Sequence, residues 1–147
     1  MFRGVSHLVL DNKGRLAVPA KHREPLAGDG AALILTADPA RCLLLYPAPA
    51  WDPIQSRLMA LSSFNEKIRS LQRLLVGHAD EVELDASGRI LVPPALRQFA
   101  MLDKRVVLVG QGNKFEIWDE GRWLEQTVQA AAFPAEGLPS ELDGFSL

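Results

Sequence analysis

A segment that occurs twice constrains this chain more than anything else in it. Leu10-Asp11-Asn12-Lys13-Gly14-Arg15-Leu16-Ala17-Val18-Pro19 matches Leu84-Asp85-Ala86-Ser87-Gly88-Arg89-Ile90-Leu91-Val92-Pro93, with Leu, Asp, Gly, Arg, Val and Pro recurring at one offset. Arg23 matches Arg97 further on, and Tyr46 and Trp51 match Trp118 and Trp123 if the second copy is two residues shorter. Self-similarity at a fixed offset marks a duplicated structural unit.

Each shared residue has a physical role. Val5, His7 and Val9 alternate with Ser6, Leu8 and Leu10, and Glu81, Glu83 and Asp85 alternate with Val82 and Leu84, which is the period of a strand. Asp11 and Asp85 open the turn, where the carboxylate can accept a hydrogen bond from the backbone two residues on. Gly14 and Gly88 supply the positive φ that a type I turn followed by a bulge requires. The chain returns as a strand at 16–18 and 90–92. Pro19 and Pro93 stop it, because proline cannot donate to the ladder, and proline suits the first turn of the helices predicted over 20–26 and 95–100.

A second strand pair follows in each copy. It is read over 32–36 and 42–46 around Asp38-Pro39, and over 106–109 and 115–118 around Gly110-Gln111-Gly112-Asn113. Helices fit 51–61 and 120–131. Ile68, Leu71, Leu74 and Leu75 lie at helical spacing within 65–76, which predicts a packed helix joining the halves. The chain thus divides into a first repeat (1–50), connecting helices (51–76), a second repeat with a C-terminal helix (77–131) and a Pro- and Gly-containing acidic tail (132–147), expected to be poorly ordered. A unit of about 50 residues buries too little surface to stand alone. Two copies packed as a pseudo-dimer solve that problem and give an α+β protein, with a closed or nearly closed set of short strands and peripheral helices.

Hydrophobic residues make up 48% and charged residues 23%, enough for a core and against wholesale disorder. No apolar run approaches the roughly 20 residues of a membrane span, and the N-terminus lacks a secretory signal, so the cytosol is the expected location. The single cysteine, Cys42, can form neither an internal disulfide nor a cysteine metal cage, and reads as a small buried hydrophobe. Net charge is −2, so the molecule as a whole does not attract polyanions. Arg3, Lys13, Arg15, Lys21 and Arg23 nevertheless crowd the first 26 residues, while Glu136, Glu141 and Asp143 mark the tail. That asymmetry is either a localised anion-binding surface or the ordinary fluctuation of a short chain.

Catalytic chemistry finds little support. His7, His22 and His78 have no ligand spacing, and Gly110-Gln111-Gly112 lacks the helix start of a phosphate loop. Asp80, Glu81 and Glu83 are a metal cluster or, more ordinarily, a solvated strand face. No enzyme activity, metal or cofactor is expected. Arg15 and Arg89 are harder to dismiss. Each follows a tight turn and would project near a hairpin tip. It either pairs with the turn aspartate, an exposed ion pair worth about 0–1 kcal/mol, or contacts phosphate or a guanine edge, as β-ribbon readers do. Lys13 adds charge to the first tip, whereas Ser87 is neutral at the matching place, so the first tip is expected to be the stronger anion site.

Met1-Phe2-Arg3-Gly4, the two Asp-x-x-x-Arg segments, Gln72-Arg73-Leu74-Leu75-Val76-Gly77-His78-Ala79 and Phe115-Glu116-Ile117-Trp118 together resemble the MraZ family of bacterial regulators, encoded with division and cell-wall genes. The likeness runs from residue 1 to about residue 130. It implies two tandem AbrB-like swapped-hairpin repeats of the double-split β-barrel type. It also implies a ring-shaped homo-oligomer that binds short direct repeats in double-stranded promoter DNA of its own operon, usually as a repressor. A cytoplasmic, nucleoid-associated protein without cofactor, membrane or small-molecule partner would follow. The family's DNA-facing surface carries over to Asp11, Arg15, Asp85 and Arg89, with the arginines as contacts. Lys13 and Arg3 join them on charge and position. The competing expectation is an antitoxin-like or protein-interaction module of the same fold, whose apolar residues between Trp51 and Val76 serve a partner.

Overall fold

The structure, a computed structural model, describes residues 1–28, 30 and 32–146, and of 133–136 the backbone alone. The first copy contributes β1 (Phe2–Val9), β2 (Arg15–Ala17), α1 (Ala20–Ala27), β3 (Leu33–Ala37), β4 (Leu43–Pro47), α2 (Ala48–Met59) and α3 (Glu66–Leu71), which runs on into a π-helical turn over Gln72–Val76. The second contributes β5 (Asp80–Val82), β6 (Arg89–Leu91), α4 (Pro94–Phe99), β7 (Arg105–Gly112), β8 (Phe115–Asp119) and α5 (Glu120–Glu136), followed by a 3-10 turn at Ser140–Leu142.

Six strands form one antiparallel sheet in the order β1-β7-β8-β4-β3-β5, and β2 pairs with β6 in a separate two-stranded ladder. The first strand of each copy therefore leaves its own copy. β1 pairs along its length with β7, from Phe2 opposite Gly112 to Val9 opposite Arg105. β5 pairs with β3, Leu33 lying opposite Val82. The two halves are built through each other, as the size of one copy requires. The copies are not equal, because the place that β1 fills with eight residues holds only three in β5. The hydrogen-bonded set is also not closed: the large sheet ends at β1 and β5, and the β2–β6 ribbon is a separate ladder.

That ribbon roofs the main core. Leu16, Val18, Ile90 and Val92 are almost wholly buried and belong to one cluster with Leu35, Leu45, Leu108 and Phe115 of the sheet. On the sheet's other face, α2 and the π turn cover Ile34, Leu44, Tyr46 and Trp51, while Trp123 of α5 packs on Val107, Val109 and Trp118.

The structure corrects several sequence-based boundaries. Gly110 and Gln111 belong to β7, because β1 pairs with them; the turn is left to Asn113-Lys114. α2 begins at Ala48 rather than at 51, following Pro47 and with proline in its first turn. The helix expected over 65–76 starts with Asn65, whose side chain accepts from the amides of Lys67 and Ile68, but becomes π-helical at Gln72. There buried Gln72 donates to the carbonyls of Leu58 and Leu61, and the Thr36 hydroxyl donates to Leu75. α5 outlasts its expected end at 131 and reaches Glu136, the run Ala130-Ala131-Ala132 favouring helix. Leu147 and the side chains at 133–136, part of the expected tail, lie outside the described residues.

Candidate functional site

The two repeated turns have one geometry. In the first, the Gly14 amide donates to the Asp11 carbonyl at 3.0 Å, and Asp11 Oδ1 accepts from the Lys13 and Arg15 amides at 2.9 and 2.8 Å. Asp11 Oδ2 then accepts from Arg15 Nε at 2.6 Å. In the second, Gly88 donates to the Asp85 carbonyl at 2.9 Å, and Asp85 accepts from the Ser87 amide, the Arg89 amide and Arg89 Nε, all at 2.9 Å. Gly14 and Gly88 have φ of 82° and 75°, the left-handed region where a side chain is strained. The aspartate thus does two jobs: it folds the turn and grips the arginine. Hydrogen bonds from Arg15, above all its amide, hold the Asp11 carboxyl down to about 2 against the opposing effect of desolvation. Asp85 is lowered for the same reason, the Arg89 amide leading.

Each arginine directly follows its turn, and the two are not apart. Arg15 lies opposite Leu91, and Arg89 lies opposite Ala17. Leu16 and Ile90 between them point into the core, so Arg15, Ala17, Arg89 and Leu91 share the outer face of the ribbon. The two arginines are diagonal neighbours, with Cβ atoms about 7 Å apart by strand geometry. Both remain about one-third exposed. Only Nε is engaged by the aspartate, which leaves the terminal nitrogens of each guanidinium for another partner.

The turns themselves stand at opposite ends of the ribbon. Val18 donates to the Gly88 carbonyl and Val92 to the Gly14 carbonyl, each at 2.9 Å, extending the ladder at both ends. Four residues of strand separate the glycines, or about 14 Å. Lys13 is exposed at one end and Ser87 at the other. Arg3 is not brought to this face. It sits near the start of β1 opposite Gln111, about 27 Å of extended strand from the first turn.

Sequence reasoning missed two residues. Arg97 Nε donates to the Val92 carbonyl at 3.0 Å, and its guanidinium lies against Gly14 of the other copy. Arg23 Nε donates to the Val18 carbonyl at 2.8 Å and lies against Gly88. Their signal was present in the recurrence of Arg23 and Arg97 at the offset of the turns, but nothing local said where they would dock. At the first end, Arg97 and Lys104 also line a polar cavity of about 330 Å³ with Asp11, Asn12 and Gly14.

Other candidate chemistry is accounted for by packing. Cys42 is fully buried, and burial pushes its thiol up out of the reactive range. His22 is packed between Phe2 and Phe115, with ring centroids at 6.3 and 4.9 Å. Asp80 and Glu81 of β5 and Glu83 just after it are exposed, and among the described residues no group of three or more acidic, histidine or cysteine side chains is arranged to hold a metal. No helix among the described residues is long and apolar enough to cross a membrane.

The duplication has a counterpart among known proteins. The profile of the family described as "MraZ protein, putative antitoxin-like" matches twice, over residues 1–74 and 75–144. A protein of Nitrosospira multiformis named transcriptional regulator MraZ is 62% identical over the whole of both chains. Proteins of the same name from Methylobacillus flagellatus and Thiobacillus denitrificans are 58% and 57% identical, also over the whole of both chains. Two profile matches that meet between the copies, and full-length identity at this level, place the chain in the MraZ family.

Proposed function

We propose that this protein is a transcriptional regulator that binds DNA sequence-specifically through the outer face of the β2–β6 ribbon. The observation that carries the reading is the meeting of Arg15 and Arg89, from motifs 74 positions apart in the chain, on one solvent-facing ribbon. A major groove about 12 Å wide admits a two-stranded ribbon, and arginine reads guanine edges there. Nε of each arginine is held by an aspartate, so the guanidinium is aimed before DNA arrives. Lys13 gives the first end additional positive charge for phosphates. Arg3, at the far end of β1, would meet a separate stretch of duplex. The names of the relatives agree with regulation of transcription.

We take the AbrB-like swapped-hairpin class as the fold relationship, supported by first strands that pair with the opposite copy. We further propose that the protein represses its own division and cell-wall operon as a ring-shaped homo-oligomer on direct repeats, in the cytoplasm on the nucleoid. One ribbon makes few phosphate contacts, and several ribbons on repeated sites bind with avidity. Exposed Met59, Leu61 and Phe64 on the basic α2–α3 side, and exposed Leu124 and Val128 beside Glu125 on α5, offer complementary surfaces for a head-to-tail ring. The same apolar residues favour a second reading, an antitoxin-like module in which a different protein covers α2 and α3.

Selection of bound sequences from random DNA tests the first reading. Recovery of direct repeats, with affinity falling steeply as salt rises, is expected. No enrichment, or a flat salt response, would overturn it. Light scattering separates the two readings: a large closed assembly of the pure protein supports the ring, and a small species that grows only with a partner supports the module.

A further inference from the structure

The two turns are held by residues of the opposite copy as well as by their own aspartates. Val92 donates its amide to Gly14 and accepts the Arg97 Nε–H on its carbonyl, while the Arg97 guanidinium covers Gly14. A Cβ at Gly14 would stand only 2.7 Å from the guanidinium carbon. This is a closed circuit of three residues, two from the second copy and one from the first. The mirror circuit runs through Val18, Arg23 and Gly88. Each glycine immediately precedes the arginine of the outer face. What fixes the glycine therefore fixes the origin of Arg15 or Arg89.

We propose that Arg97 and Arg23 are positioning residues for DNA reading, each setting the turn, and so the reading arginine, of the opposite repeat. The inference rests on the ribbon reading given above. The planar guanidinium is required, because it must donate through Nε to a carbonyl and lie against a peptide at the same time. An ammonium is a point charge without that plane. Arg97→Lys keeps the charge and loses the lock.

The test is binding of Arg97→Lys and Arg97→Ala to the duplex selected by the wild type, each alone and combined with Arg15→Ala or Arg89→Ala. Thermal unfolding and amide hydrogen exchange are measured alongside. Both Arg97 variants are expected to weaken binding about tenfold, a part of one good base contact. The loss should vanish when Arg15 is already alanine and persist when Arg89 is alanine. The Gly14 and Arg15 amides should exchange faster, while those of β7 and β8 stay protected. Wild-type affinity in Arg97→Lys would show that charge alone matters, and would overturn the proposal. So would a loss undiminished on the Arg15→Ala background, which would make Arg97 a DNA contact in its own right. Unchanged exchange at Gly14 and Arg15, or faster exchange everywhere, would likewise overturn it. Should Arg15→Ala itself leave DNA binding unchanged, the ribbon reading fails, and the exchange measurement still decides whether the lock exists.

Discussion

Asp11 holds Arg15 at two points, accepting the backbone amide on one carboxylate oxygen at 2.8 Å and the side-chain Nε on the other at 2.6 Å. Turn and arginine side chain are thus fastened to a single carboxylate. The carboxyl titrates at about 2 in the folded protein, below its ordinary value of 3.8. A depressed carboxyl stabilises the fold above its unfolded pKa, and that contribution is lost as pH falls through the folded value. Stability should therefore drop between about pH 4 and pH 2. In Asp11→Asn the drop should be shallower, with lower stability at neutral pH. Acid titration of the two proteins by circular dichroism checks this; equal slopes would count against it.

Arg15→Ala is expected to cost most of the specific DNA binding, leaving a residual affinity that can still be titrated, without unfolding the protein, because the side chain is one-third exposed and its removal opens no cavity in the core. Arg89→Ala should weaken binding less, by about 1–3 kcal/mol, the value of one base contact. Its end of the ribbon has Ser87 where the first has Lys13. Gel-shift titrations decide the matter. Equal losses would mean the two ends are equivalent.

Gly14→Ala should destabilise the protein by about 2 kcal/mol, through a positive φ that alanine resists and through collision with Arg97. Removing the colliding side chain should relieve part of the cost. The double variant Gly14→Ala, Arg97→Ala is thus expected to be more stable than the two single effects added together. Urea unfolding of all four proteins measures the difference.

His22 supplies a second pH response. It is buried among aromatic rings, and desolvation lowers its pKa below 6.5. The unfolded chain therefore takes up a proton more readily, and stability should fall as pH drops below about 6.5. A melting-temperature series from pH 7.5 to 5.5 should lose this slope in His22→Phe. Persistence of the slope would place its origin elsewhere.

The turns were legible in the sequence because they are local: Asp11, Gly14 and Arg15 lie within five positions and fix one another. The core face was legible for the same reason, since the alternation around Leu16 and Ile90 carries it. What could not be read was pairing across the copies. Nothing near Val5 says that its partner is Val109, and nothing near Arg97 says that it covers Gly14. The sequence set Arg15 and Arg89 each just past a turn but could not show that they share one face. Only the β2–β6 ladder, a contact between distant segments, turns two hairpin ends into one face. Tertiary context also converted the end of the joining helix into a π turn, through Thr36 and Gln72.

The exchange of first strands has a consequence for synthesis. β1 leaves the ribosome well before its partner β7, which ends at Gly112. Until β7 is made, β1 must wait with an unpaired edge and with Phe2, buried in the folded protein, uncovered, a state prone to association with other nascent chains. A chain stopped after the first copy would have no β7 and would find one only in another molecule. The boundary between the two sequence matches is therefore no place to cut, because each half takes its first strand's partner from the other.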